Sequence, residues 1–276
     1  MFDRKTILLP VDFSDRSMEA ARQARGIARR VQCRLIVLNA IESEGSYLRF
    51  EPGGSSVEEL QAYLNREFED TPVEYLMKPG TPTEVIDQVA REKAADGIVI
   101  AGHNRRPFEA FALGSVAAEV LCSSPCPVLV SLHEERGPAP GPAPLFRRIL
   151  CSVGLSDSTD ATLDWAMQFA QVFGAACDVI HVAANCDREE QRCIPEDWLT
   201  RLEREALDAV KKRLDGCAGQ LMLAAGDPAR VIAAASVASK SDLLVMGRSR
   251  STDEIARVHS LPFTLARLAA CPVVVI

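Results

Sequence analysis

Three absences narrow this sequence before any motif is read. No apolar run approaches the roughly 18 residues of a membrane-spanning helix, so no membrane partner is expected. There is no basic excess: 31 Lys and Arg stand against 38 Asp and Glu, for a formal net charge of -7. Proteins that grip nucleic acid neutralise phosphates with positive charge, so nucleic acid is not an expected partner either. The nine cysteines, finally, lack the tight two-residue spacing that makes a zinc site convincing. At the amino terminus, MFDRKTILLP enters a strand pattern too early for a signal peptide, and the expected location is the cytoplasm.

What is there in place of these features is ordinary globular material. Hydrophobic residues make up 47% of the chain and charged ones 25%, enough to build a core and a wet surface. Cys33, Cys151 and Cys177 fall inside apolar strand patterns, where a thiol behaves as a small hydrophobe in a reducing compartment. His181, Cys186 and Cys193 are ligand types for a metal, but their spacing is loose, and no metal is expected. Arg22, Arg25 and Arg29 recur at helical spacing opposite Ala20, Ala24, Ile27 and Ala28, which reads as the solvated face of a helix.

A chain of 276 residues exceeds the usual size of one core, and the sequence repeats itself. A shift of 142 residues lays ILLPVDFSD on ILCSVGLSD, and a shift of 146 lays GTPTEVI on GDPARVI and Asp96 on Asp242. CPVLV near residue 126 likewise answers CPVVV near 271. Between the copies lies a Pro/Gly/Ala-rich stretch that cannot continue a helix or central strand. The expected layout is one domain over residues 1–134, a linker over 135–146 and a second domain over 147–276.

Each copy alternates apolar runs with helix-period segments. The runs expected as strands are 5–11, 33–39, 72–77, 97–101 and 126–131, then 148–153, 177–183, 219–224, 242–247 and 271–276. They lack in/out alternation, as strands buried on both faces of a parallel sheet do, so the fold class is α/β, two doubly wound domains in tandem. Thr81, Pro82 and Glu84 read as an N-cap, a first helical residue and the partner of a capping box, and Asp227-Pro228 repeats the cap and the proline.

Ligands of such sheets bind beyond the carboxyl ends of the strands, where strand order reverses. PVDFSD follows the first strand and AGHNRRPFEAFALGSV the fourth. Gly114-Ser115 opens a helix, whose free N–H groups suit an anion. Asp12, beside it, suits a ribose hydroxyl or an exocyclic amine; it reads equally as a turn former. His103 lies in the same loop without a carboxylate or nucleophile at suggestive spacing. Nothing in the sequence marks a dedicated hydrolase; weak ATPase activity is the most expected.

ILLPVDFSD, DGIVIAGHN and CPVLV together resemble the tandem members of the universal stress protein family, over both halves of the chain. The resemblance implies a five-stranded parallel sheet in each half, in the order 3-2-1-4-5, and an internal pseudo-dimer, with a homodimer as a further arrangement. That family divides into members that bind ATP and members that do not. The binders carry Gly, two residues, Gly, nine residues, then Gly-Ser or Gly-Thr. Here Ala101 and Asn104 stand at the two glycines and Gly114-Ser115 is intact. The resemblance implies that Asp12 holds the ribose or adenine of ATP or AMP, with Pro10 and Ile100 beside the base. It implies that Ala101, Gly102, His103 and Asn104, with Gly114, Ser115 and Val116, wrap the phosphates.

The second copy departs further, with Gly154 for the aspartate, Gly247 kept, Arg250 at the second glycine and Ser260-Leu261 for Gly-Ser. Arg248 and Arg250 suit a different anionic ligand, or are solvated loop arginines. The function implied is a stress-tolerance or signalling factor with adenine nucleotide in its first domain. The alternative is an interaction scaffold with unknown protein partners and no nucleotide.

Overall fold

The computed structural model describes residues 5–41, 66, 68, 71–102, 113–132, 145–155, 159–183, 201–215, 218–248 and 260–276. They form two compact units, Met1–Gly137 and Pro138–Ile276. The stretch expected as a linker lies outside the described residues except for its last two.

In the first unit the elements run β1 (Thr6–Pro10), α1 (Asp15–Val31), β2 (Arg34–Ile41), β3 (Val73–Pro79), α2 (Pro82–Glu92), β4 (Gly97–Ala101), α3 (Ser115–Ser123) and β5 (Val128–Ser131). The second repeats them as β6 (Arg148–Ser152), α4 (Thr159–Phe173), β7 (Ala176–Ala183), α5 (Arg201–Leu214), β8 (Leu221–Ala225), α6 (Pro228–Ala238), β9 (Leu243–Met246), α7 (Leu261–Leu268) and β10 (Val273–Val275). Strands pair in the order β3-β2-β1-β4-β5 in one unit and β8-β7-β6-β9-β10 in the other, and every described pairing is parallel. The expected strands are all present, with ends displaced by a residue or two. Pro127 and Pro272 stand just before β5 and β10 rather than in them, because proline has no N–H to give to the ladder.

Burial follows the unbroken apolar runs. Leu8, Leu9, Leu35, Ile36, Leu38 and Ile98 are almost wholly enclosed in the first unit, as are Ile149, Leu150 and Leu163 in the second. Helix α1 turns Ala20, Ala24, Ile27 and Ala28 inward and leaves Arg22 and Arg29 in water, as its periodicity requires. In the second unit Phe146, just before β6, packs against Phe169 and Phe173 of α4 with ring centroids 5.3 and 5.1 Å away.

The helix starts differ in one respect from expectation. Asp227 caps α6 by accepting the Arg230 N–H at 2.9 Å, but Thr81 makes no side-chain bond at the head of α2, so the capping box with Glu84 is not formed. Threonine is stiff at χ1 and a weaker cap than aspartate. Before both helices Gly80 and Gly226 hold φ of +134° and +128°, a conformation that side chains rarely adopt.

The two central strands of each unit are pinned by one aspartate. The Asp96 carboxylate accepts the Thr6 N–H at 2.8 Å while the Asp96 N–H donates to the Thr6 carbonyl, also at 2.8 Å. Asp242 does the same for β6, accepting the N–H groups of Arg147 and Arg148 at 2.7 and 2.9 Å and donating to the Arg148 carbonyl at 2.8 Å. Replacing Asp96 with Ala should destabilise the first unit by about 1–2 kcal/mol. Asp96→Asn, which keeps an acceptor oxygen, should lose less. Urea unfolding of the full chain with each variant measures both, and equal midpoints for wild type and Asp96→Ala would reject the assignment.

Candidate functional site

Strand β1 lies between β2 and β4, so the chain leaves the sheet in opposite directions at its carboxyl end, and a crevice is expected there. In the first unit Val11 extends β1 by donating to the Leu38 carbonyl at 2.8 Å. Asp12 follows, exposed, and the next residue, Phe13, takes a left-handed turn with φ of 59°. That turn brings Ser14 back onto Asp12: Oδ1 of Asp12 accepts the Ser14 N–H at 3.0 Å and the Ser14 hydroxyl at 2.6 Å. Ser14 in turn caps α1, accepting the Ser17 N–H at 3.3 Å.

Partial desolvation at the strand end raises the pKa of Asp12, but the Ser14 hydroxyl and N–H, with a contribution from the Ser17 hydroxyl, outweigh it. The net result lies below the ordinary carboxylate value of 3.8. Asp12 is therefore ionised at neutral pH and held in one orientation, an acceptor ready for a hydroxyl or amine. Asn39 of β2 steadies the same turn, donating from Nδ2 to the Val11 carbonyl at 2.8 Å.

On the neighbouring strand Ile100 is buried, Ala101 half-buried and Gly102 buried. Gly102 has a packing reason beyond any ligand: a Cβ there would lie 2.9 Å from the Ser131 carbonyl oxygen and 2.9 Å from Cγ1 of Val130. His103 and Asn104 lie outside the described residues. Gly114 is the N-cap of α3 and makes no side-chain cap bond, its carbonyl accepting the Ala118 N–H at 2.8 Å. The N–H groups of Ser115, Val116 and Ala117 open the helix without intrahelical acceptors, as in every first turn. The fold thus brings Pro10, Asp12, Ile100, Ala101 and Gly102 to the ends of two adjacent strands, and Gly114, Ser115 and Val116 to the start of the helix that follows β4.

The second unit keeps the frame and changes the groups. Leu155 repeats the left-handed turn with φ of 51°, although Gly154 stands where the aspartate would be. His181 occupies the position of Asn39, its Nδ1 3.0 Å from the Val153 carbonyl. Helix α7 begins at Leu261 after Ser260, which makes no side-chain cap bond, and carries Pro262 in its first turn. Proline has no N–H, so α7 offers an anion one donor fewer than α3. Arg248 follows β9 where Gly102 follows β4, and its N–H donates to the Ile276 carbonyl at 2.9 Å.

Sequence reasoning missed Phe13, Leu155, Asn39 and Pro262. The last two were readable from the repeat alignment; the turn residues were not, since bulky side chains disfavour positive φ. Of the metal-ligand types, Cys186 and Cys193 lie outside the described residues, and His181 has its Nδ1 turned to a backbone carbonyl. Among the described residues no three His, Cys, Asp or Glu side chains group as a metal site. Burial pushes the Cys33 thiol up to about 11 and the Cys151 thiol well above its ordinary value, which suits packing rather than thiolate chemistry. No helix among the described residues is long and apolar enough to cross a membrane.

Comparison with known proteins follows the same division. The family profile described as the universal stress protein family matches residues 3–131 and again 145–276. A universal stress protein of Methanocaldococcus jannaschii is 30% identical over 139 residues, 46% of this chain and 81% of its own length. Another, from Thermus aquaticus, is 33% identical over 137 residues, 46% of this chain and 97% of its own. Among solved structures, a universal stress protein from Archaeoglobus fulgidus superposes with a TM-score of 0.75, covering 99% of this chain and 96% of its own at 21% identity, a likeness of fold.

Gly102→Ala should destabilise the first unit by about 1–3 kcal/mol, because neither the Ser131 backbone nor the buried Val130 can give way freely. Ala101→Gly next to it should cost under about 1 kcal/mol. Thermal unfolding of the two variants separates a packing role for Gly102 from a purely ligand-binding one, which would leave both melting curves unchanged.

Proposed function

This chain belongs to the universal stress protein family twice over, once in each half, and from that premise we propose that its first domain binds an adenine nucleotide, ATP or AMP, as a stress-tolerance or signalling ligand. The observation that carries the reading is the contrast between the two crevices. The first has an ionised, oriented Asp12 just past β1 and, after β4, an α3 amino terminus without a side-chain cap. A hydroxyl-bearing sugar and a polyanionic tail call for that pair of groups. The second crevice has neither the carboxylate nor a full set of helix donors.

In this reading Asp12 accepts from the ribose or adenine end and Ile100 with Pro10 flanks the base. The N–H groups of Ser115 and Val116 take the phosphates, with Gly114 keeping the approach open. His103 and Asn104 complete the phosphate loop. In this reading the ligand is held rather than consumed, and any hydrolysis is slow. The buried, unreactive thiols Cys33 and Cys151 are in keeping with a reducing compartment, which we take to be the cytoplasm.

Acid precipitation of the purified full chain should release adenine nucleotide into the supernatant, or titration with ATP should give a saturable heat with one site per chain. Asp12→Ala should weaken that binding at least about tenfold, the loss of a hydrogen bond to a charged acceptor. Gly114→Val should weaken it by crowding the phosphates, and Gly154→Ala should leave it alone. A chain that releases no nucleotide and gives no heat with ATP is instead an interaction scaffold. Equal affinities in wild type and Asp12→Ala would remove Asp12 from the site.

A further inference from the structure

The second domain's crevice is changed at two positions that touch the same spot. Where Asn39 and Asp12 stand in the first domain, the second has His181 and Gly154. A Cβ built on Gly154 would meet nothing within 4 Å, so the aspartate's place is open space. Beside it is a cavity of about 320 Å³, lined by Gly154, His181, Val182, Ile232, Met246 and Leu261 among others. That volume lies at the small end of ligand sites, roughly 300–1,000 Å³.

His181 is 5% exposed and lines this cavity. A carbonyl can only accept, so the contact with Val153 puts the proton on Nδ1. With a single ring proton placed on Nδ1, Nε2 is a lone-pair acceptor, and it is buried without a hydrogen-bond partner. A buried polar atom left unsatisfied calls for an explanation. Asn39 meets the same carbonyl obligation from the equivalent position, so holding the turn does not require an imidazole. What the imidazole adds is the second nitrogen.

We infer that the cavity of the second domain is a binding site for a small, mainly apolar molecule carrying one hydrogen-bond donor, an alcohol, phenol or N–H heterocycle, which donates to Nε2 of His181. Val182, Ile232, Met246 and Leu261 supply the apolar wall and Gly154 the room. A nucleotide does not suit this site. It has no counterpart of Asp12, and Pro262 removes a phosphate donor. The inference is independent of nucleotide binding in the first domain.

Indole and benzofuran test it, since they match in size and differ in the N–H donor. Titrated into the full chain, indole should bind saturably with one site and benzofuran about tenfold more weakly, the worth of one buried hydrogen bond. In protein labelled with 15N at its histidines, indole should move the Nε2 resonance of His181 and benzofuran should not. His181→Asn keeps a donor for Val153 and lacks Nε2, so it should lower indole affinity to the benzofuran level. Gly154→Leu, at a position with open space around its Cβ, should block both probes without lowering the melting temperature. Absence of saturable indole binding, equal affinities for the two probes, a stationary His181 signal, or unchanged binding in either variant would overturn the inference. Displacement of indole by ATP would overturn its non-nucleotide character, whereas failure of ATP to bind anywhere would bear only on the first domain.

Discussion

The whole arrangement depends on the pairing of the first and fourth strands of each repeat, clasped at its base by Asp96 or Asp242. These two strands are remote in sequence yet adjacent in the sheet, and their junction is where strand order reverses. The aspartate makes reciprocal bonds to the backbone at the start of β1 or β6, which sets the register from which every later residue on either strand is counted. A one-residue slip would move Leu8 and Ile98, or Leu150 and Leu244, to the opposite face of the sheet, against the wrong layer of helices, and would carry Asp12 away from the end of β4. Register at the bottom of the sheet is thus what aligns the groups at the top.

Above the clasp, scaffold and chemistry separate cleanly because the protein presents the same frame twice. Phe13 and Leu155 both take a left-handed backbone that costs a non-glycine residue about 1–2 kcal/mol. Since the second copy keeps the turn while lacking the aspartate, the strain belongs to the frame and not to Asp12. The same holds for the carbonyl of Val11 or Val153, tied down by Asn39 in one copy and His181 in the other. What differs is the set of groups at the strand ends: a carboxylate and helix N–H donors in the first domain, an imidazole beside a cavity in the second.

Duplication makes this divergence cheap. One domain can carry Asp12, Asn39 and Val116 while the other carries Gly154, His181 and Pro262 at the matching positions. Gly154 and Pro262 lie beyond the strand ends, where the buried runs have stopped, while His181, buried within β7, keeps the contact with the turn carbonyl that Asn39 makes from β2. Gly102 shows the opposite case: it stands in the candidate site, yet its lack of a side chain is demanded by the closeness of β5.

The repeat, the ten strands, the buried face of α1, the prolines that open α2 and α6 and the loss of Asp12 in the second copy were all legible in the sequence, because hydrophobic period and turn chemistry are local properties that each segment carries with it. The sequence by itself did not tell that Phe13 and Leu155 would be left-handed, that Thr81 would leave its helix uncapped, that Asp96 would clasp Thr6 from ninety residues away, or that His181 would turn one nitrogen to a carbonyl and leave the other unpaired. Those outcomes depend on which distant backbone groups arrive within hydrogen-bonding range. Only the folded sheet decides that, since the partners share no local pattern until β1 and β4, or β6 and β7, lie side by side.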